Sequence, residues 1–482
     1  MATVYDEVRY PSRPFGKTHP RRLGVAAALL GLPYAPTETA RVLEIGCGEG
    51  GNIVPIAASY PQATVVGFDL AASAIARGQA VADALGLRNI RLRALDILQA
   101  GPELGEFDYI IAHGVYSWTP EPVRAALLDL VRACLAPNGL AFVSYNALPG
   151  CHIRLMVREM LLRHLRGVEG LERLPAARAF LEFVVAHGSE QDAAAAAVKA
   201  ECRSMLEKSP EVLFHDELGA IYEPVYFDAF VAAAAQRRLQ FVAEADSVWW
   251  REALFPSDLG KAIGELAGPG VLDLHQYLDF TVARMFRATL LCREEARLDR
   301  SVEPGRVRRL WASAQARRVA AAEDAPGAAT FELGERGTVS FTDPELSETL
   351  AELGRAYPQA LPIAGFADDP KIHQALLQLF TAGLVTLSTG PAPLVVAAGE
   401  RPVASPVARL QASHPAGDLC ALTHEVVRIT DEAGRRFLQL LDGSRTRGEL
   451  AAAMAGGAAG AEAARQVDQS LAQLARLGLL TA

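Results

Sequence analysis

RVLEIGCGEGG, spanning Arg41 to Gly51, joins a short strand to a glycine turn. Val42, Leu43 and Ile45 supply the apolar run of a buried strand. Gly46, Gly48, Gly50 and Gly51 follow, where a backbone without Cβ atoms can come close to a ligand. Gly46, Gly48 and Gly51 also fit the G-x-G-x-x-G spacing of dinucleotide-binding turns, so spacing alone does not name that ligand.

Charge separates the candidates. A pyrophosphate at a helix N-terminus is favoured by donors and positive potential, whereas this loop carries Glu44 just before its glycines and Glu49 among them. Carboxylates suit a cation, and S-adenosylmethionine carries a sulfonium and an ammonium but no phosphate. Glu44, Gly46, Cys47, Gly48, Gly51 and Asn52 are therefore candidate cofactor-binding positions, with Cys47 itself a small packing side chain. In TVVGFDL, Asp69, followed by Leu70, closes a second strand 18 residues beyond Gly51, the spacing of a carboxylate that accepts both ribose hydroxyls. In IRLRALDI, Asp96 closes a third, placed to receive an adenine amino group while Ile97 packs on the ring.

These residues, with FDYIIAHG (107–114) as a fourth strand, resemble the class I S-adenosylmethionine-dependent methyltransferases. Strands and helices alternate from 41 to 145, the pattern of a doubly wound parallel sheet whose ligands lie beyond the strands' carboxyl ends. At that edge stand His113, Tyr116 and Trp118 after the fourth strand and Tyr145 and Asn146 in SYNALPGCH after the fifth, so these are the substrate-side candidates. His113 also borders the cofactor positions.

The chain of 482 residues is long enough for about three domains. Its 50% hydrophobic and 21% charged residues are ordinary for a soluble protein, and a net charge of -9 argues against general affinity for nucleic acid or anionic membrane. The opening MATVYDEVRYPSRPFGKTHPRRL has charges and prolines where a signal peptide needs an apolar core. No later run approaches the ~20 apolar residues of a membrane span, and a cytoplasmic location is expected. Six scattered cysteines without a C-x-x-C pair suggest neither zinc nor a disulfide framework, and no metal is expected.

Tyr5, Tyr10, Pro11, Pro14, Phe15, Thr18, His19 and Pro20 make the first segment an extended arm, either a lid on the cofactor or a cover for a hydrophobic edge. Beyond Pro149 the period becomes helical over 152–166, 175–187, 192–207, 226–238 and 275–296. LFHDELGAIYEPVYFDAFVAAAA (213–235), YLDF (277–280) and MFRATLLC (285–292) resemble the regulatory-type helical domain that follows some bacterial methyltransferase domains. YDEVRYPSRPFGKTHPRRL, FDYIIAHGVYSW and SYNALPG resemble a family that includes bacterial protein-lysine methyltransferases acting on surface proteins. Cys151 departs from that pattern, standing where an aromatic is expected before His152.

Arg306, Arg308, Arg309, Arg317 and Arg318 read as one solvated helix face, and AAAEDAPGAA (320–329) as a linker. An internal repeat follows: VSFTD (339–343) matches VRITD (427–431), and QALLQLFTAGLVTL (374–387) matches QSLAQLARLGLLTA (469–482). Each copy reads as a strand, a Thr-Asp helix start, helices ending at Gly383 or Gly478 and a short final strand, which is winged-helix-like. Neither copy has a Lys/Arg-rich helix, favouring protein binding or dimer formation over DNA.

The expected fold is thus an α/β, Rossmann-like methyltransferase sheet with its arm (1–150), a helical regulatory-type domain (151–300), a linker and first winged-helix-like repeat (301–400) and a second repeat (401–482). The expected activity is S-adenosylmethionine-dependent methylation of a protein side chain, with lysine implied by the resemblance and His113 or Tyr116 as candidate bases. Methylation of a small metabolite or natural product, and a catalytically silent cofactor-binding scaffold, are the alternatives. Because every candidate cofactor residue precedes 150, deleting the repeats is expected to leave cofactor affinity nearly unchanged.

Overall fold

The computed structural model describes residues 8–320, 327–414, 417–455 and 460–482. Its centre is a seven-stranded sheet in the order β3-β2-β1-β4-β5-β7-β6, made of β1 (Arg41–Ile45), β2 (Thr64–Asp69), β3 (Ile90–Ala94), β4 (Phe107–Ala112), β5 (Leu135–Asn146), β6 (Leu239–Glu244) and β7 (Phe286–Arg293). The first five are mutually parallel and β7 runs antiparallel to both β5 and β6. The order reverses between β1 and β4, where a crevice opens beyond the strand ends.

Period-two alternation assigns the faces. Leu43, Ile45, Ile110, Ala112, Val143 and Tyr145 point into one core, shared with the helix Glu121–Cys134. Val42, Tyr109, Ile111 and Phe142 point into the other, covered by the helix Pro20–Leu29 and by Leu350, Leu353 and Leu376 of the first repeat.

The helical reading of 275–296 is corrected. The helix Val271–Val282 ends where Ala283 turns left-handed at φ 47°, and MFRATLLC becomes β7. A strand buried on both faces is mostly apolar, so Ala288 to Cys292, interrupted only by Thr289, carry no clear alternation to separate them from a buried helix. Two strands from within 151–300 thus complete the sheet, while the helices His152–His164, Arg173–His187, Ala193–Leu206 and Pro210–Leu218 form their own core.

β7 is pinned by buried charge: Arg287 Nη1 donates to Glu244 at 2.8 Å and its Nε to Asp279 at 2.7 Å, while Arg284 Nη2 donates to Glu244 at 2.7 Å. Burial works against the Glu244 carboxylate, yet Arg287 and Arg284 outweigh it and bring its pKa down to about 2.

β8 (Trp311–Ser313) pairs with β12 (Leu361–Pro362) and β13 (Thr386–Ser388). β9 (Ala316–Val319), β10 (Ala329–Leu333) and β11 (Thr338–Phe341) form an antiparallel sheet. The linker reading falls mainly on 321–326, outside the described residues, and its flanks are the paired strands β9 and β10. The single helix face predicted for the arginines is also corrected: Arg306 to Arg309 lie in a 3-10 turn, and Arg317 and Arg318 lie in β9. Asp343 and Asp431 cap the helices Pro344–Ala356 and Glu432–Leu440, and Gly383 and Gly478 take φ of 72° and 68°, as the repeat implies. In the second repeat β14 (Leu419–Cys420) pairs with β15 (Val426–Val427), and Leu480 supplies only a bridge to Ala404 where a final strand was expected. Among the described residues no helix is long and apolar enough to cross a membrane.

Candidate active site

The crevice and the arm enclose a cavity of about 600 Å³. On its loop side the Gly46 and Cys47 amides donate to Phe68 O at 2.9 and 3.0 Å, tying the turn to β2. A Cβ on Gly46 would lie 2.5 Å from a Val115 methyl, whereas one on Gly48 would meet nothing. Gly48 is needed for its φ of 54°, and its amide donates to Asp69 Oδ2 at 2.8 Å. Asp69 Oδ1 accepts from Ala71 N at 2.9 Å, and Asp96 Oδ1 accepts from Leu98 N at 2.9 Å, which caps the turn Ile97–Gln99. Leu70 and Ile97 line the same cavity.

Glu44 is the most perturbed acid there. Burial, reinforced by Asp69 and opposed by the Asn52 hydrogen bond, lifts its pKa to about 8. Oε1 accepts from Asn52 Nδ2 at 2.8 Å, while Oε2 is buried without a hydrogen-bond partner. Glu49 differs from the expectation: Arg9 at 2.6 Å and Arg77 at 2.7 Å neutralise it, so its charge belongs to the arm and the helix Ala72–Ala84. Gly51 is not part of the lining, because its amide donates to Ser12 Oγ at 2.8 Å. An orphaned carboxylate oxygen on Glu44, with the carboxylates of Asp69 and Asp96 on the same wall, fits a ligand with a cationic end and hydroxyl and amino donors, as S-adenosylmethionine has.

The substrate-side candidates divide. His113 and Trp118 line the cavity. His113 Nδ1 is 2.8 Å from Ser144 Oγ, its ring meets Phe15 edge-on at 3.9 Å, and burial lowers its pKa to about 4. Trp118 packs on Tyr222. Tyr116, Tyr145 and Asn146 do not reach the cavity. Tyr145 stacks on Phe230 at 4.2 Å with its hydroxyl 3.1 Å from Thr289 Oγ1, and Tyr116 packs edge-on against Phe230. Both are core residues away from the cavity, and burial raises the pKa of each. Asn146 is buried where the β5 backbone accepts from Val225 N.

Sequence reasoning placed Tyr10 and Phe15 on an arm that could cover the cofactor but missed the rest of the opposite wall. Phe286 opens β7, His215 and Asp216 lie on the helix Pro210–Leu218, and Tyr10, Arg13 and Phe15 come from the arm. Tyr10 donates to Asp216 Oδ1 at 3.4 Å, His215 Nε2 is 2.7 Å from Val8 O, and burial raises the Asp216 pKa. The only signal was the density of acids and aromatics in LFHDELGAIY. Tyr5 of the arm lies outside the described residues.

This fold and this glycine loop define a Rossmann-like methyltransferase-domain protein. Residues 42–139 match the family described as Methyltransferase domain, 209–293 the predicted methyltransferase regulatory domain, and 400–477 the PKMT C-terminal winged helix domain. An uncharacterised Rickettsia prowazekii protein is 35% identical over 237 residues, covering 48% of this chain and 94% of that one. A second from that organism is 34% identical over 62% of this chain, and here the chain spans about half the length of its relative, 54%. The solved PKMT2 from Rickettsia typhi in complex with AdoHcy is 24% identical with a TM-score of 0.85, covering 98% of this chain and 100% of that one, and so shares the fold throughout. The chain belongs to the family of the first of these Rickettsia prowazekii proteins, and its own segments match a methyltransferase domain, a methyltransferase regulatory domain and a PKMT-type winged helix.

Proposed function

We propose that this chain methylates a lysine side chain of a protein, with Glu44, Gly46, Gly48, Asp69, Leu70, Asp96 and Ile97 holding S-adenosylmethionine. The observation that carries the reading is the continuity of one cavity from the acid wall of Glu44 to an apolar and acidic wall of Trp118, Phe286 and Asp216. Bound there, the cofactor supplies an electrophilic methyl group whose sulfonium leaves as a neutral thioether. The residues of the chain then have three tasks: to align the acceptor, exclude water and leave the amine neutral.

Lysine has an ordinary pKa near 10.4 and enters protonated. Asp216 attracts that ammonium to the opening, and the apolar surfaces of Trp118, Phe15 and Phe286 favour the neutral amine further in. His113, uncharged at neutral pH and held by Ser144, shapes this wall without serving as the base. The match of 400–477 to the PKMT C-terminal winged helix domain and the likeness to PKMT2 favour a protein acceptor over a small metabolite. The test is incubation with methyl-labelled cofactor and cell fractions. Base-stable label recovered as methyllysine is expected; label confined to small molecules, or released by base as an ester, would reject the proposal.

A further inference from the structure

Asn52 sits at a junction of three distant segments. Its Nδ2 donates to Glu44 Oε1 at 2.8 Å and to Thr18 Oγ1 at 3.0 Å. Its Oδ1 faces Phe15 N at 3.0 Å and, from the second repeat, His424 Nε2 at 2.9 Å. An amide that donates twice through nitrogen must accept through oxygen, so His424 carries its proton on Nε2. His424 is buried and reaches this position with a φ of 70°, at the turn between β14 and β15.

The same turn and the residue before β14 grip the arm and the start of the helix Pro20–Leu29. Arg13 pairs with Asp418 at 2.6 Å, Arg22 with Glu425 at 2.6 Å, Arg21 Nη2 donates to Leu422 O at 3.3 Å, and the His19 and His424 rings lie 4.9 Å apart. Arg13 and Asn52 both line the cavity. The second repeat is therefore built into the wall behind the glycine loop.

We propose that His424 is a positioning residue of the cofactor site, fixing the Asn52 amide so that its nitrogen holds Glu44 Oε1 and leaves Oε2 directed to the ligand's cation. This rests on the S-adenosylmethionine reading of the cavity. Without the Nε2 donor only the Phe15 amide and the Thr18 hydroxyl hold the Asn52 oxygen in place, so the amide is less firmly fixed, and in the flipped orientation its oxygen would face the Glu44 carboxylate and repel it. A domain 372 residues away in sequence thus sets the geometry of a first-strand acid, and anything that shifts the β14–β15 turn shifts cofactor affinity.

The test compares His424→Gln with His424→Leu in the full chain, using S-adenosylhomocysteine and calorimetry. Both side chains are unbranched at Cβ and experience the same left-handed backbone, but only glutamine retains a donor near the Nε2 position. His424→Leu is expected to bind roughly tenfold more weakly, the scale of one or two hydrogen bonds around a charged group, with His424→Gln close to the parent. In an Asn52→Ala background the leucine change should have little further effect, a non-additivity that a merely structural loss would not produce. Failure of the parent to bind the probe would reject the cofactor reading itself. Parent binding with equal losses in both variants, or fully additive losses with Asn52→Ala, would overturn the positioning role. Should His424→Leu not fold, the comparison of His424→Gln and Asn52→Ala with the parent decides: parent-like affinity in Asn52→Ala removes the proposed path.

Discussion

The Gly51 amide donates to Ser12 Oγ across 2.8 Å, and a Cβ on Gly51 would lie 2.6 Å from the Ser12 carbonyl carbon. The last glycine of the loop therefore latches the arm over the cavity. Gly51→Ala needs no unusual backbone angle, so its effect is steric: the arm must move. We expect a loss of about 1–3 kcal/mol in stability, the usual range for overpacking, with faster proteolysis within residues 8–19 and faster release of S-adenosylhomocysteine. Parent-like cleavage and release rates would show that the arm is held elsewhere.

Glu44 makes cofactor binding a proton-linked event. Its pKa rises from an ordinary 4.5 to about 8 in the folded chain, so the folded state keeps a proton that the unfolded state releases. The contribution to stability is full below pH 4.5 and is lost as pH rises through about 8. A cation beside Oε2 favours the ionised form and expels the proton. Calorimetry at pH 6.5 in buffers of different ionisation enthalpy should report release of up to one proton per cofactor, and Glu44→Gln should abolish it. Identical enthalpies in every buffer would remove Glu44 from contact with the cation.

What was legible in the sequence was local. The glycine loop and the acids closing β1, β2 and β3 lie within one run of strands and helices, where short-range pattern fixes both element and edge. Ser144 and Tyr145 show where that fails. Alternation along β5 sends Ser144 to His113 and Tyr145 into the core beside Phe230, and choosing between neighbours requires the strand's register. Ser12, His215 and Asp216 reach the cavity, and His424 reaches Asn52 in its wall, from segments far apart in the chain, which no spacing rule connects. β7 was misread because complete burial erases periodicity.

His113 should not control the pH dependence of the reaction. Burial depresses its pKa from 6.5 to about 4, so its contribution to stability is present above pH 6.5 and is lost as pH falls through about 4. Between pH 6 and 8 it stays neutral, and the rise in rate comes from deprotonation of the acceptor amine. His113→Asn should lower the rate by disturbing the Phe15 and Ser144 contacts, yet the slope of log kcat/KM against pH should match the parent. A flattened slope in the variant would restore histidine as the base.

Arg287 tests whether β7 depends on its buried charges. Glu244 has a pKa near 2, below its ordinary 4.5, so its stabilising contribution is present above pH 4.5 and is lost as pH falls through about 2. Arg287→Met removes the partner shared by Glu244 and Asp279 and leaves Arg284 as the remaining cation in contact with them. Leaving buried charge uncompensated costs about 3–5 kcal/mol, whereas Tyr145→Phe, which loses one hydroxyl contact to Thr289, should cost about 1 kcal/mol. Urea unfolding of the two variants separates these cases. Adding Glu244→Gln to Arg287→Met should recover part of the loss, because the stranded carboxylate is then neutral. If Arg287→Met unfolds within about 1 kcal/mol of the parent, the cluster is solvated enough to tolerate the change, and the docking of β7 between β5 and β6 rests on apolar packing alone.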